Sequence, residues 1–287
     1  MFNICVKYFE EHKITISTNV DIKKSKTKCI YFSHSKSNIE PAKIMFNNIP
    51  LPWVESWPHL GNDLERTNLA IKAKSNMDTD VRGKKRKFIG KFHALRQEFG
   101  FASAQVLFKL VNIYGTSFYG SVLWDLGGSA ADSLYASWNA MVRMAWNLPN
   151  TAHTYFIEDI SEAPHLKAIL SQRYLTFIHS LLNSKKKCLS QLALKTIYDQ
   201  GSITGQNINL IASESGYNRF NILNMAPSCV ANEIRFSPVP EESKWKIQLL
   251  KELLSLCDGE LCMREDENEQ AFSREELQNL IAFVSTQ

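Results

Sequence analysis

The chain contains no run of about 18 apolar residues, the minimum for a membrane-spanning helix. Its opening residues, Met1 to Lys7, do not form a basic segment followed by an apolar one. Both absences point to an intracellular protein, cytoplasmic or nuclear, with no membrane contact. Cysteine is sparse and scattered (Cys5, Cys29, Cys188, Cys229, Cys257, Cys262), which argues against a disulfide framework and, without close Cys/His pairs, against a zinc site. Cys257 and Cys262 read as small apolar residues of a C-terminal helix, so no metal ligands are expected. No Asp-Asp pair occurs anywhere, and the histidines are dispersed. There is no Gly-x-Ser-x-Gly elbow, and Gly127-Gly128 lacks the following Lys-Ser/Thr of a phosphate-binding loop. The acidic pairs Glu10-Glu11, Glu241-Glu242 and Glu275-Glu276 fall on solvated faces. These gaps leave no catalytic constellation, and the isolated chain is not expected to be an enzyme.

What is present is enough apolar residue, 44% of 287, to bury one large core or two smaller ones. The net charge of +4 conceals an asymmetry: residues 1 to 110 carry 19 Lys and Arg against 10 Asp and Glu, and the rest 14 against 19, or +9 and −5. A basic first part fits a polyanionic partner, the alternative being a merely solvated basic surface. Lys84, Lys85, Arg86 and Lys87, with Lys91 a turn later, concentrate that charge beside an apolar stripe of Phe88, Phe92, Leu95 and Phe99. This arrangement predicts that one face docks on the domain while the basic rim meets phosphates, the alternative being a helix start that is only solvated charge.

Periodicity divides the chain. Ile4, Cys5, Tyr8, Phe9 and His12 recur at helical spacing with no cap before them, so the natural domain is expected to begin upstream. Alternating runs follow at Ile14 and Ile16, at Cys29 to Phe32, and at Ile44 and Phe46 against Ile49 and Leu51. The last two flank Asn47-Asn48, which suits a two-residue hairpin turn. Trp53, Val54 and Trp57 continue the second strand, and Pro50, Pro52 and Pro58 confine it to an edge. From Leu64 onward the pattern is helical. Leu107, Leu110, Val111, Tyr114 and Phe118 make one stripe, and Leu134, Tyr135, Trp138, Met141, Val142 and Ala145 another, closed by Pro149. Ser161-Glu162-Ala163-Pro164 opens a further helix through Leu181. Residues 201–240, rich in Gly, Ser, Asn and Pro, read as a loop or linker. Helices around Trp245 to Leu254 and Leu277 to Ile281 end the chain.

Three stretches, in order, resemble non-LTR (LINE-type) retrotransposon reverse transcriptases. His12, Ile14, Ile16 and Asn19, followed by Lys26-Thr27-Lys28-Cys29-Ile30-Tyr31-Phe32, resemble the end of the palm, with Lys23-Lys24-Ser25 as an insertion. Val54 to Gly61 resembles the primer-grip hairpin, Trp57-Pro58-His59 standing where Tyr-Lys-Tyr is more usual. The most specific block runs from Tyr114 to Trp124, through Ser137-Trp138-Asn139 and Arg143, to Trp146-Asn147-Leu148-Pro149 and His153-Thr154. The resemblance covers roughly residues 1 to 200.

It implies an α+β chain that is mostly α. The expected parts are a partial palm with primer-grip hairpin over 1–63, a thumb-like helical region over 64–126, a helical C-terminal region over 127–200, the 201–240 linker and C-terminal helices over 241–287. Primer-grip-like residues are Trp53, Trp57, His59, Leu60 and Gly61; palm-lysine-like residues are Lys26 and Lys28. The expected partner is an RNA/DNA template-primer duplex, held weakly and without sequence preference by Lys84, Lys85, Arg86, Lys87 and Lys91. Full-length enzymes of this kind use Mg²⁺ held by an Asp-Asp loop. This chain lacks that loop, so no cofactor is expected in it and it reads as an inactive fragment. The rival reading is a domesticated helical nucleic-acid-binding or scaffolding protein.

Overall fold

The computed structural model describes residues 8, 11–13, 27–30, 42–46, 49–59, 62–65, 69–235, 239–259 and 273–286. The chain divides into two units, Met1–Asp80 and Val81–Gln287. Described residues are mostly helical, and their few strands lie in the first unit, so the expected mostly-α α+β class holds. The division falls inside a long helix, after Asp80, rather than at the expected 63/64.

In the first unit β1 (Met45–Phe46) and β2 (Ile49–Pro50) pair antiparallel, Phe46 opposite Ile49, which leaves Asn47-Asn48 as the two-residue connection the sequence predicts. The Leu51 N–H donates to the Ile44 carbonyl at 2.8 Å and adds one rung. The expected continuation of β2 through Trp53 to Trp57 does not occur. Pro50 and Pro52 have no N–H to give a ladder. Instead Trp53 forms a parallel bridge with Cys29: the Cys29 N–H donates to the Pro52 carbonyl at 2.9 Å, and the Val54 N–H donates to the Cys29 carbonyl at 3.0 Å. Trp57 belongs to a separate hairpin, β3 (Ser56–His59) against β4 (Asn62–Glu65), His59 opposite Asn62. Leu64, expected at a helix start, is therefore in a strand. Of the expected opening helix, Tyr8 and Glu11 are helical. Ile4, Cys5, Phe9, Ile14, Ile16, Tyr31 and Phe32 lie outside the described residues.

Helix α1 (Leu69–Phe99, 31 residues) leads into the second unit. There it meets α2 (Ala104–Leu110), a π-helical turn (Val111–Gly115), a 3-10 turn (Ser121–Leu123) and α3 (Ser129–Ala145). All six expected α3 stripe residues, Leu134 to Ala145, are buried. Aromatic rings lock these elements together. Trp138 stacks on Phe88 (5.7 Å between centroids) and meets Phe108 edge-on (5.3 Å), and Phe118 bridges Phe88 and Trp124 (5.8 Å each). Pairs at this spacing add roughly 0.5–1.5 kcal/mol each beyond their area burial.

Beyond α4 (Tyr155–Ser161) lies α5 (Leu166–Leu182), which does not start at Ser161 as expected. Ser161 ends α4, and Glu162 caps it in the left-handed region (φ 51°). His165 is the N-cap of α5: its Nδ1 accepts from the Lys167 N–H at 3.1 Å. Nδ1 being the acceptor, Nε2 carries the proton and donates to Asn139 Oδ1 on α3 at 2.9 Å. The imidazole is thus held neutral in the interior, and burial, with the charge of Lys167 second, pushes its pKa down to about 3.

After α6 (Lys187–Tyr198), the residues expected to form a linker are helical over most of their described part. They fold into α7 (Ile203–Ser215), α8 (Arg219–Asn224) and α9 (Pro227–Asn232). The residues that look like loop formers are the ends of short helices. Ser202 and Asn218 are N-caps accepting from Gly205 and Asn221 N–H groups, Gly216 is a left-handed C-cap, and Pro227 opens α9. A Cβ on Gly205 would lie 2.1 Å from the Asp199 carbonyl oxygen, so this turn packs only with glycine. From α7 the fully buried Asn207 reaches the chain before α3. Its Nδ2 donates to the Trp124 carbonyl at 2.7 Å and its Oδ1 accepts from the Leu126 N–H at 2.9 Å. One amide side chain thereby satisfies a loop with no strand partner. Finally α10 (Lys244–Gly259) packs on α4 and on α11 (Arg274–Thr286). Ser273 and Glu276 form a reciprocal capping box at the start of α11.

Candidate nucleic-acid interface

The expected interface residues fall in both units. In the first, Lys28 Nζ sits 3.4 Å from the Trp57 ring centroid, a cation–π contact between the lysine-bearing segment and hairpin β3–β4. Trp53 joins the same group through its bridge to Cys29. Lys28, Trp53 and Trp57 are all half-buried, so part of each remains open to solvent. His59 occupies the last position of β3, while its side chain, with Lys26, Leu60 and Gly61, lies outside the described residues. The sequence anticipates the two aromatics. It does not anticipate that a lysine assigned to the palm covers one of them.

In the second unit, the five-cation cluster is split by its own helix. At 100° per residue, four consecutive positions point around the whole circumference, so Lys84 to Lys87 do not make one face. Phe88 and Phe92 are buried, and Lys85, next to that buried side, is half-buried with its Nζ donating to Ser133 Oγ of α3 at 2.6 Å. It docks α1 on α3 as well as carrying charge. Arg86, Lys87 and Lys91 are exposed and Lys84 is half-buried. Lys91 Nζ donates one hydrogen bond, 2.8 Å, to the Tyr114 carbonyl and keeps further donors for solvent. The exposed cations of the cluster are therefore Arg86, Lys87 and Lys91, with Lys84 half-buried, while Lys85 is engaged with α3.

Tyr114 is a second correction. Expected on the buried stripe with Leu107, Val111 and Phe118, it is exposed. The cause is the π-helical turn Val111–Gly115: i→i+5 bonding inserts an extra residue and turns Tyr114 off the stripe, while Val111 and Phe118 stay in the core. Periodicity at 3.6 carries no signal for such a slip. The nearest hint is Gly115, whose added Cβ would press on the Phe88 ring at 3.3 Å, so the turn backbone lies directly against α1.

Among the described residues no three His, Cys, Asp or Glu side chains converge as a metal site would require. Also among the described residues, no helix is long and apolar enough to cross a membrane. Comparison with models of protein families, with curated proteins and with solved structures finds no match.

Proposed function

We propose that the chain corresponds to the end of the palm, the primer-grip hairpin and the thumb of a non-LTR reverse transcriptase, without its catalytic carboxylates. We further propose that it binds nucleic acid through sequence-independent contacts and does not polymerise. One observation supports this reading most directly: the Lys28-Cys29 segment lies alongside Trp53, with Lys28 over Trp57. Those two stretches, distant in sequence, are the ones that resemble the palm lysine strand and the primer grip, and the likeness requires them to be neighbours. The long basic helix α1 then follows the hairpin in the order a thumb would.

Binding then rests on exposed cations. Three of them, Arg86, Lys87 and Lys91, neutralise about three phosphates, and counterion release gives log K a slope near −2.7 against log salt for duplex DNA. The test is fluorescence anisotropy of a labelled duplex with the full chain at several salt concentrations. Joint replacement of Arg86, Lys87 and Lys91 by Ala is expected to flatten the slope equally for unrelated sequences, since phosphate contacts carry no base information. Lys85→Ala is expected to leave the slope nearly intact. No binding at low salt, or a slope untouched by the triple substitution, overturns the binding reading. Template-dependent primer extension by the purified chain with Mg²⁺ or Mn²⁺ overturns the non-enzymatic one.

A further inference from the structure

The turn between α2 and α3 presents aromatic side chains that the core does not use. Tyr114 is 58% exposed, Ile113 68% and Tyr119 61%. Single exposed apolar residues are ordinary on protein surfaces. These sit on a backbone pinned at several points. Gly115 packs on the Phe88 ring, Phe118 contacts the same ring at 5.8 Å, Lys91 Nζ bonds the Tyr114 carbonyl at 2.8 Å, and the half-buried Arg173 donates to the Thr116 carbonyl at 2.8 Å. Rigid display lowers the entropy lost on binding.

The charge of the segment that contains this turn is one-sided in sequence. Residues 81–124 hold eight cations (Arg82, Lys84, Lys85, Arg86, Lys87, Lys91, Arg96, Lys109) and one carboxylate, Glu98. Lys87 and Lys91 are four apart on α1 and share a face, and Lys91 touches the Tyr114 backbone directly. Open aromatic rings beside phosphate-sized positive charge match a strand whose bases are unpaired, because a base in a duplex has no free face to offer.

We propose that Tyr114, whose carbonyl Lys91 holds and which shares the turn's exposed side chains with Ile113, is a stacking platform for unpaired nucleotides, with Lys87 one turn before Lys91 on the same face of α1. Lys87 and Lys91 take the phosphates while the tyrosine ring takes base faces, without sequence preference. This rests on the nucleic-acid reading above and narrows its substrate to single-stranded segments, such as the unpaired strand beside a duplex.

The probes are a fluorescein-labelled 12-mer of deoxythymidylate, an abasic 12-mer of equal charge and a 12-base-pair duplex, each titrated with the full chain and with Tyr114→Ala, Tyr114→Phe and Lys87→Ala. Tyr114→Ala is expected to weaken binding of the single strand about tenfold and to leave its salt slope and the duplex unchanged. The abasic strand should bind the native chain about as weakly as the normal strand binds Tyr114→Ala. Tyr114→Phe keeps the ring and should restore affinity, and Lys87→Ala should reduce the single-strand slope by about 0.7. Equal affinity for normal and abasic strands, or loss in Tyr114→Ala of self-association rather than of strand binding, overturns the platform. If the duplex still binds with its salt slope intact, the general reading survives that failure. If neither strand nor duplex binds, both fall.

Discussion

The two units satisfy their backbones in different ways. In the described part of the first, ahead of α1, hydrogen bonds run between short strands that each have one partner, β1 with β2 and β3 with β4, and a single bridge joins Cys29 to Trp53. Leu51 is the only buried apolar residue described there. In the second, every helix closes its own backbone bonds and spends its side chains on one continuous core running from Val81 to Val284. A two-stranded ribbon without a covering layer is marginal in water, whereas packed helices reinforce one another. Local pairing thus positions residues such as Lys28 over Trp57, and among the described residues the helical unit supplies nearly all of the burial that makes a structure cooperative.

Hydrogen exchange tests this difference where the effect should be largest. Amides of β3 and β4 are expected to exchange at least about a thousandfold faster than those of Trp138, Ile178 and Ile208, because local opening ranges from near zero up to the global unfolding free energy. Equal protection in both units would show that the hairpins share the helical core's cooperativity.

Acid should act on the second unit through His165. The folded pKa of His165, near 3, lies below its unfolded value of 6.5, so the unfolded chain takes up the proton first. Stability contributed by the neutral imidazole is complete above pH 6.5, declines as pH falls below it and is lost by about pH 3, a total on the order of a few kcal/mol. Thermal melts of the chain and of His165→Asn between pH 7 and 4 should converge as pH falls; parallel curves would remove His165 from the account.

Asn207→Ala comes next. It leaves the Trp124 carbonyl and Leu126 N–H buried without their partner and should cost about 2–3 kcal/mol in denaturant unfolding of the helical signal. A cost below about 0.5 kcal/mol would mean that water replaces the amide.

The smallest effect belongs to the first unit. Lys28→Met removes the charge over Trp57 and should change stability by no more than about 1 kcal/mol, read through the fluorescence of Trp53 and Trp57. A larger loss would give the hairpin a structural weight equal to that of the helices.

Much of this architecture is legible along the chain. The hydrophobic period of α3, the pairing of β1 with β2 and the C-terminal helices depend on neighbours a few residues apart, and local pattern reports them. The error over residues 201–240 has the same origin: Ser202, Gly216, Asn218 and Pro227 are turn formers in isolation and helix caps once Ile208, Ile211, Ile222 and Val230 have a core to enter. In the candidate interface, the sequence identifies the cations and aromatics by type but not their allocation. Composition determines that the first part of the chain is basic, that it contains no Asp-Asp pair and that its later part is helical. Tertiary structure alone decides that Lys85 docks on Ser133 while Lys87 faces solvent, that a π-helical slip turns Tyr114 outward, and that Asn207 completes a distant loop. Each of those outcomes depends on groups tens of residues apart competing for the same buried space and the same hydrogen bonds, and no local periodicity encodes that competition.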